Sequence, residues 1–130
     1  MIKAIIFDMD GLLINSEPLW LRAKVDFMKE LDSEWTNKDQ ENTMGVSTQT
    51  WVDYIYKKMD GSVSKDEILN GIIDRMKFYY GNGEIEPMPG AEEALHFAKN
   101  NYRVGLASGS YKDLLSIAVI INKKFIATFA

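Results

Sequence analysis

Residues Ile2 to Trp20 read Ile-Lys-Ala-Ile-Ile-Phe-Asp-Met-Asp-Gly-Leu-Leu-Ile-Asn-Ser-Glu-Pro-Leu-Trp. A short apolar run, Ala4 to Phe7, stops abruptly at two carboxylates, Asp8 and Asp10, and a glycine follows at once. Such a run suits a strand buried on both faces of a parallel sheet. In open α/β sheets the ligand site lies at the carboxyl ends of the strands, which is where Asp8 falls. Asp8 and Asp10 are two residues apart, so in extended chain they point to the same side. Two like charges that close repel unless a cation lies between them. A hard divalent ion such as magnesium, which takes oxygen ligands, removes that conflict. A carboxylate can also act as a nucleophile and form an acyl phosphate. A second carboxyl beside it can protonate the leaving oxygen and then activate water. Pattern alone leaves a plain β-hairpin open, because Asp-Gly between apolar runs is a hairpin signal. A calcium loop fits worse. It needs an oxygen ligand at its fifth position and glycine at its sixth, where this chain has Leu12 and Leu13.

The unbroken run from Asp8 to Trp20 resembles the first motif of the haloacid dehalogenase-like hydrolases, in the branch that holds β-phosphoglucomutase and the small sugar-phosphate phosphatases. The resemblance implies that Asp8 is the nucleophile and Asp10 the acid/base. It implies that magnesium binds the Asp8 carboxylate and the Asp10 main-chain carbonyl. It also implies that Asp8, Met9 and Asp10 help hold the transferred phosphate. This family places a small flap right after the motif, so the hairpin reading is not a rival to it.

The composition fits a soluble globular protein with one modest core: 130 residues, 19 acidic against 15 basic, net charge -4. That balance, with no basic run, argues against a nucleic-acid partner. There is no cysteine, hence no disulfide framework and no thiolate metal site. No apolar run approaches the roughly 20 residues that span a membrane. Asp8 interrupts the N-terminal apolar stretch, which excludes a signal peptide there. Cytoplasm is the expected setting.

Downstream, the periodicity turns helical. Ser16 or Glu17 is expected to cap a first helix with Pro18 in its first turn. Leu19, Ala23, Phe27 and Leu31 form its apolar stripe, with Trp20 and Met28 beside them. Thr36 opens a short second helix that closes near Gly45. Ser47 caps a third, with Trp51, Ile55 and Met59 in line. Ser64 to Glu67 is a capping box for a fourth, with Ile68, Ile72, Met76 and Tyr80 facing one way, and Gly81-Asn82-Gly83 ends it. Trp20, Trp35, Trp51 and the Tyr79-Tyr80 pair read as bundle core rather than as sugar platforms. Lys57 and Lys58 read as a solvated face.

The expected architecture is α/β, an incomplete Rossmann-like parallel sheet core with an inserted four-helix cap. The boundaries are 1–15 for the first core segment with its flap, 16–86 for the cap, and 87–130 for the returning core. Asn15, Ser16 and Glu17 mark one hinge and Glu86 to Met88 the other. In the resembling family such a cap closes over the site, excludes water and selects the substrate.

Pro87-Met88-Pro89-Gly90 is punctuation. Ala91 to Lys99 then reads as a helix with Ala94, Leu95 and Ala98 inward, and His96 as a surface residue. Tyr102 to Ala107 suits a second parallel strand. It stops at Ser108-Gly109-Ser110, before a helix from Tyr111 or Lys112 to about Ile121. A strand, a small polar loop and a helix start present N–H groups and a hydroxyl to an anion; read alone, Ser108 or Ser110 could equally be a helix cap. The resemblance carries its second motif here. It implies that Ser108 donates its hydroxyl to the transferring phosphoryl group and that the Gly109 N–H helps; Lys112 is a weaker candidate for a further contact.

Phe125 to Phe129 reads as a third strand. The resembling family carries a third motif, a phosphate-binding lysine, and a fourth, one or two aspartates completing the magnesium shell. Neither is expected in this chain, and Lys123 and Lys124 do not match the lysine position. The spacing between Asn122 and Lys123 is a few residues shorter than the family's, which predicts a spatial gap there wider than the about 3.8 Å of bonded Cα atoms.

The function these readings imply is magnesium-dependent hydrolysis of a small phosphorylated metabolite, a sugar phosphate, through an aspartyl-phosphate. The rivals are a β-phosphoglucomutase-like mutase and an inactive phosphate- or partner-binding fragment.

Overall fold

The computed structural model describes residues 1–121 of the chain. Two short strands, β1 (Ala4–Phe7) and β2 (Arg103–Leu106), form a parallel two-stranded sheet. A parallel pair needs a long crossover. Here it holds α1 (Glu17–Glu30), α2 (Asn37–Thr43), α3 (Thr48–Lys58), α4 (Lys65–Gly81) and α5 (Ala91–Asn101); α6 (Lys112–Ile121) follows β2. The mixed α/β class expected from the sequence is what the chain adopts. The register sets Ala4 opposite Arg103 and Phe7 opposite Leu106. The pairing continues past the strands, with the Ala107 N–H donating to the Phe7 carbonyl at 2.9 Å.

The chain divides into two compact units. One comprises Met1–Pro18 with the chain from Lys77 onward, and the other is Leu19–Met76. In the first unit the buried apolar side chains include Met9, Leu13, Ile14, Tyr79, Tyr80, Ile85, Leu95 and Leu114. Two expectations are corrected here. β1 is not buried on both faces: Ile6 is 71% exposed, while Ile5 and Phe7 are half-buried. With two strands in the sheet, nothing among the described residues covers the Ala4 and Ile6 side. In α5 the buried stripe is Ala91, Leu95 and Ala98, and Ala94 is exposed at its margin. His96 is exposed and meets Asn100, as a surface residue would.

In the second unit the helix starts follow the caps that the sequence supplies. Thr36 accepts from the Asp39 N–H while the Asp39 side chain accepts from the Thr36 N–H, which closes a capping box on α2. Ser47 caps α3 through the Thr50 N–H. Ser64 and Glu67 exchange bonds of 3.1 Å at the start of α4. Leu19, Ala23, Phe27 and Met28 are buried along α1, and Ile68, Ile72 and Met76 along α4. Trp35 and Trp51 are buried as core, whereas Trp20 is half-exposed. Lys24 is an unforeseen core member. It is 4% exposed, donates to Thr43 at 3.3 Å, and stands 5.6 and 5.9 Å from the ring centroids of Trp35 and Trp51. Lys58 is taken up by Asp39 at 3.0 Å.

No helix among the described residues is long and apolar enough to cross a membrane. The expected third strand at Phe125 to Phe129 and the expected gap after Asn122 lie outside the described residues.

Candidate active site

The parallel register decides where the site residues lie. Asp8 follows Phe7 directly, and Ser108 comes two residues after Leu106, the partner of Phe7. Asp8 and Ser108 therefore leave the same edge of the sheet from adjacent strands. This edge is the carboxyl end, where open α/β folds bind ligands.

Asp8 is exposed and Asp10 half-buried, so both carboxylates are open to a small ligand. The Met9 N–H donates to Asp8 Oδ1 at 2.7 Å. Met9 itself is fully buried, and its carbonyl accepts three N–H groups, those of Leu12, Leu13 and Ile14, at 3.0–3.3 Å. The turn after the motif is thus wound around one carbonyl rather than laid out as a two-stranded hairpin. Gly11 enters it at φ 73°, a region that favours glycine. Its N–H closes on the Ile14 carbonyl at 2.9 Å.

Two main-chain bonds pin this turn to the returning chain. The Asn15 N–H donates to Glu86 at 2.8 Å, and the Met88 N–H to Leu13 at 2.9 Å. Both stretches expected as hinges therefore belong to one hydrogen-bonded crossing. Ser16 does not serve as a helix cap. Its hydroxyl donates to Asp10 Oδ1 at 2.7 Å, and the residue is fully buried.

On the second strand, Ser108 is half-buried, and its oxygen accepts the Ser110 N–H at 3.1 Å. That turn leaves the Ser108 hydroxyl proton available for another acceptor. Gly109 is exposed, and an added Cβ there would meet nothing within 4 Å. Lys112 is exposed at the start of α6. Asp113 beside it pairs with Lys77 of α4 at 2.8 Å.

Sequence reasoning missed two residues of this region, Ser16 as a partner of Asp10 and Tyr80. The turn closed on Met9 carries Ser16 back to Asp10, and no sequence pattern announces it. Tyr80 sits fully buried on α4. Its phenol is pushed well above the ordinary range, first by burial and then by the Asp10 charge, with Ser16 pulling slightly the other way.

The donors that the resemblance implies are hard oxygens, the Asp8 carboxylate and the main-chain carbonyl of Asp10. Magnesium takes such donors and keeps several waters alongside one or two carboxylates. No cluster of three potential ligand side chains occurs among the described residues. The residues present therefore fit a part of a magnesium shell.

The family model for haloacid dehalogenase-like hydrolases matches residues 5–122. Hexitol phosphatase B of Escherichia coli strain K12 is 38% identical over 118 residues, covering 88% of this chain and 52% of that protein. The phosphorylated carbohydrates phosphatase of Thermotoga maritima is 27% identical over 105 residues, covering 81% of this chain and 48% of that protein. Among solved structures, CbbY of Rhodobacter sphaeroides in complex with phosphate superposes with a TM-score of 0.78 at 21% identity, over 98% of this chain and 62% of that one. The chain spans about half the length of the relatives it matches.

Proposed function

The chain belongs to the haloacid dehalogenase-like hydrolases, and on that premise we propose that the protein it forms is a magnesium-dependent phosphatase of a small phosphate monoester, a sugar phosphate. The single observation that carries the reading is the register of β1 on β2, which sends Asp8 and Ser108 off one sheet edge. The phosphatase names of the two relatives support the substrate class.

In the proposed reaction an Asp8 carboxylate oxygen bonds to phosphorus as the ester P–O bond breaks. Asp10 delivers a proton to the departing alkoxide. Water then attacks the phosphorus of the aspartyl-phosphate, Asp10 takes the water's proton, and inorganic phosphate leaves with the Asp8 carboxylate restored. Ser16 engages Asp10 Oδ1, which leaves Oδ2 for proton transfer. Ser108 donates its hydroxyl to the phosphoryl oxygens with the Gly109 N–H beside it, and the Met9 N–H joins them once released from Asp8 Oδ1. The Asp8 carboxylate and the Asp10 carbonyl would hold magnesium, which when bound draws negative charge off the phosphoryl group. The region 16–86 acts as the cap that selects the substrate, and the cytoplasm is the proposed setting.

A screen of phosphate esters with the full-length gene product, wild type against Asp8→Asn, tests this. Phosphate release that the substitution cuts by at least a hundredfold supports the nucleophile. Equal rates remove it. Isomer without free phosphate from glucose 1-phosphate replaces the phosphatase with a mutase.

A further inference from the structure

Tyr80 carries a hydroxyl that the fold does not pair. The residue is fully buried, and its oxygen has no hydrogen-bond partner. A buried hydroxyl left unpaired is destabilising. Phenylalanine would fill the same slot without that cost, so a tyrosine kept here calls for an explanation. The groups acting on the phenol are Ser16, Asp10 and Glu17. A tyrosine phenol is a neutral O–H at neutral pH, with a proton to donate. Ser16, fully buried as well, has already committed its own proton to Asp10 Oδ1 at 2.7 Å. A hydroxyl that donates still has lone pairs to accept with. Ser16 is therefore an acceptor in want of a donor, and Tyr80 a donor in want of an acceptor.

We propose that Tyr80 is a positioning residue for Asp10, its O–H steadying the Ser16 oxygen while Ser16 holds the Asp10 carboxylate. This rests on the acid/base role proposed for Asp10. In this role Tyr80 acts through Ser16 and not on the ester itself. A chain of three oxygens fixes the carboxylate more tightly than Ser16 alone, because each bond polarises the next. Proton transfer is sensitive to such placement.

The test uses the full-length gene product with glucose 6-phosphate, whose alkoxide leaving group needs a proton, and p-nitrophenyl phosphate. Tyr80→Phe is expected to lower kcat about five- to tenfold on glucose 6-phosphate, with KM within twofold. Its melting temperature is expected to change little, because the one bond lost is offset by the desolvation of the hydroxyl that goes with it. Ser16→Ala is expected to give a similar kcat loss, and adding Tyr80→Phe to it should cost less than a further twofold, as for one connected network. A kcat for Tyr80→Phe within twofold of wild type overturns the proposal. So does full multiplication of the two losses, and so does a kcat loss that comes with a lowered melting temperature, which would make the hydroxyl a packing element. If wild type and Asp8→Asn hydrolyse neither ester nor any other in the screen, the phosphatase reading itself fails and takes this proposal with it. That result is distinct from an active wild type with an unaffected Tyr80→Phe.

Discussion

A methyl group added at Gly71 and one added at Gly81 make the same change on one helix, α4, with opposite expected signs. At Gly71 the new Cβ would stand 2.3 Å from Cε2 and 2.7 Å from Cδ2 of Phe27. Ordinary carbon contacts lie near 3.5–4.0 Å, so the ring must retreat by roughly an ångström or more. It has little room: Phe27 is 7% exposed and lies under the Arg75 guanidinium, 5.4 Å from the ring centroid. Arg75 is itself held by the Gly71 carbonyl at 2.6 Å and by Glu30. Overpacking of this kind costs about 1–3 kcal/mol, against a helix-propensity gain of about 1 kcal/mol for alanine over glycine. The clash outweighs the gain, and Gly71→Ala should lose up to about 2 kcal/mol net. At Gly81 nothing lies within 4 Å. Only the backbone term remains there, and Gly81→Ala should gain about 0.4–1 kcal/mol. Trp20, Trp35 and Trp51 all fall in the unit Leu19–Met76, so tryptophan fluorescence follows that unit directly. Gly71→Ala should lower its thermal midpoint by about 4–8 °C for each kcal/mol lost, while circular dichroism on Gly81→Ala shows a small rise. A Gly71→Ala midpoint at or above wild type would refute the reasoning, because it would mean that Phe27 moves freely.

Two other perturbations separate structure from chemistry. Burial pushes the Asp39 carboxyl up, but the Thr36 N–H, the Tyr54 and Thr36 hydroxyls and the Lys58 ammonium together outweigh it and hold it well below the usual range. The folded state therefore resists protonation more than the unfolded chain, so this contribution is present above about pH 4 and lost as pH falls below it. The tryptophan-monitored midpoint should drop between pH 5 and pH 3, and Asp39→Asn, lower by about 1–3 kcal/mol at neutral pH, should drop less steeply; equal slopes would remove Asp39 as the cause. Chelation of divalent cations should abolish phosphate release by the full-length protein and magnesium should restore it, with the thermal midpoint of the Leu19–Met76 unit unchanged; release that persists in the chelator would count against the proposed metal.

The helices were legible because their signals are local. Ser47, the Ser64 to Glu67 box and the stripe Ile68, Ile72, Met76 each act within a turn or two of chain, and the structure keeps them. The strands at Ala4–Phe7 and Arg103–Leu106 were legible in position, but the burial of β1 was not. Whether Ile6 is covered depends on neighbours that the run Ala4 to Phe7 does not encode. Asp8 and Asp10 stood out by their spacing at a strand end. Ser16 looked like a helix cap because a serine before Glu-Pro usually is one. Its actual partner, Asp10, is reached only once the turn winds onto the Met9 carbonyl. Lys24 was hidden for a similar reason: a lysine on a helix is ordinarily solvated, and only the distant Trp35, Thr43 and Trp51 make a buried place for it.

The turn wound on the Met9 carbonyl has a practical side. Its shape is fixed by main-chain bonds and by Gly11, while the Leu12 side chain projects with 51% of its surface open. The chain has no cysteine. Leu12→Cys would therefore give a single thiol two residues from Asp10, to which a fluorophore could be attached. Such a label would test optically, without turnover, whether a phosphate ester reaches the carboxyl end of β1.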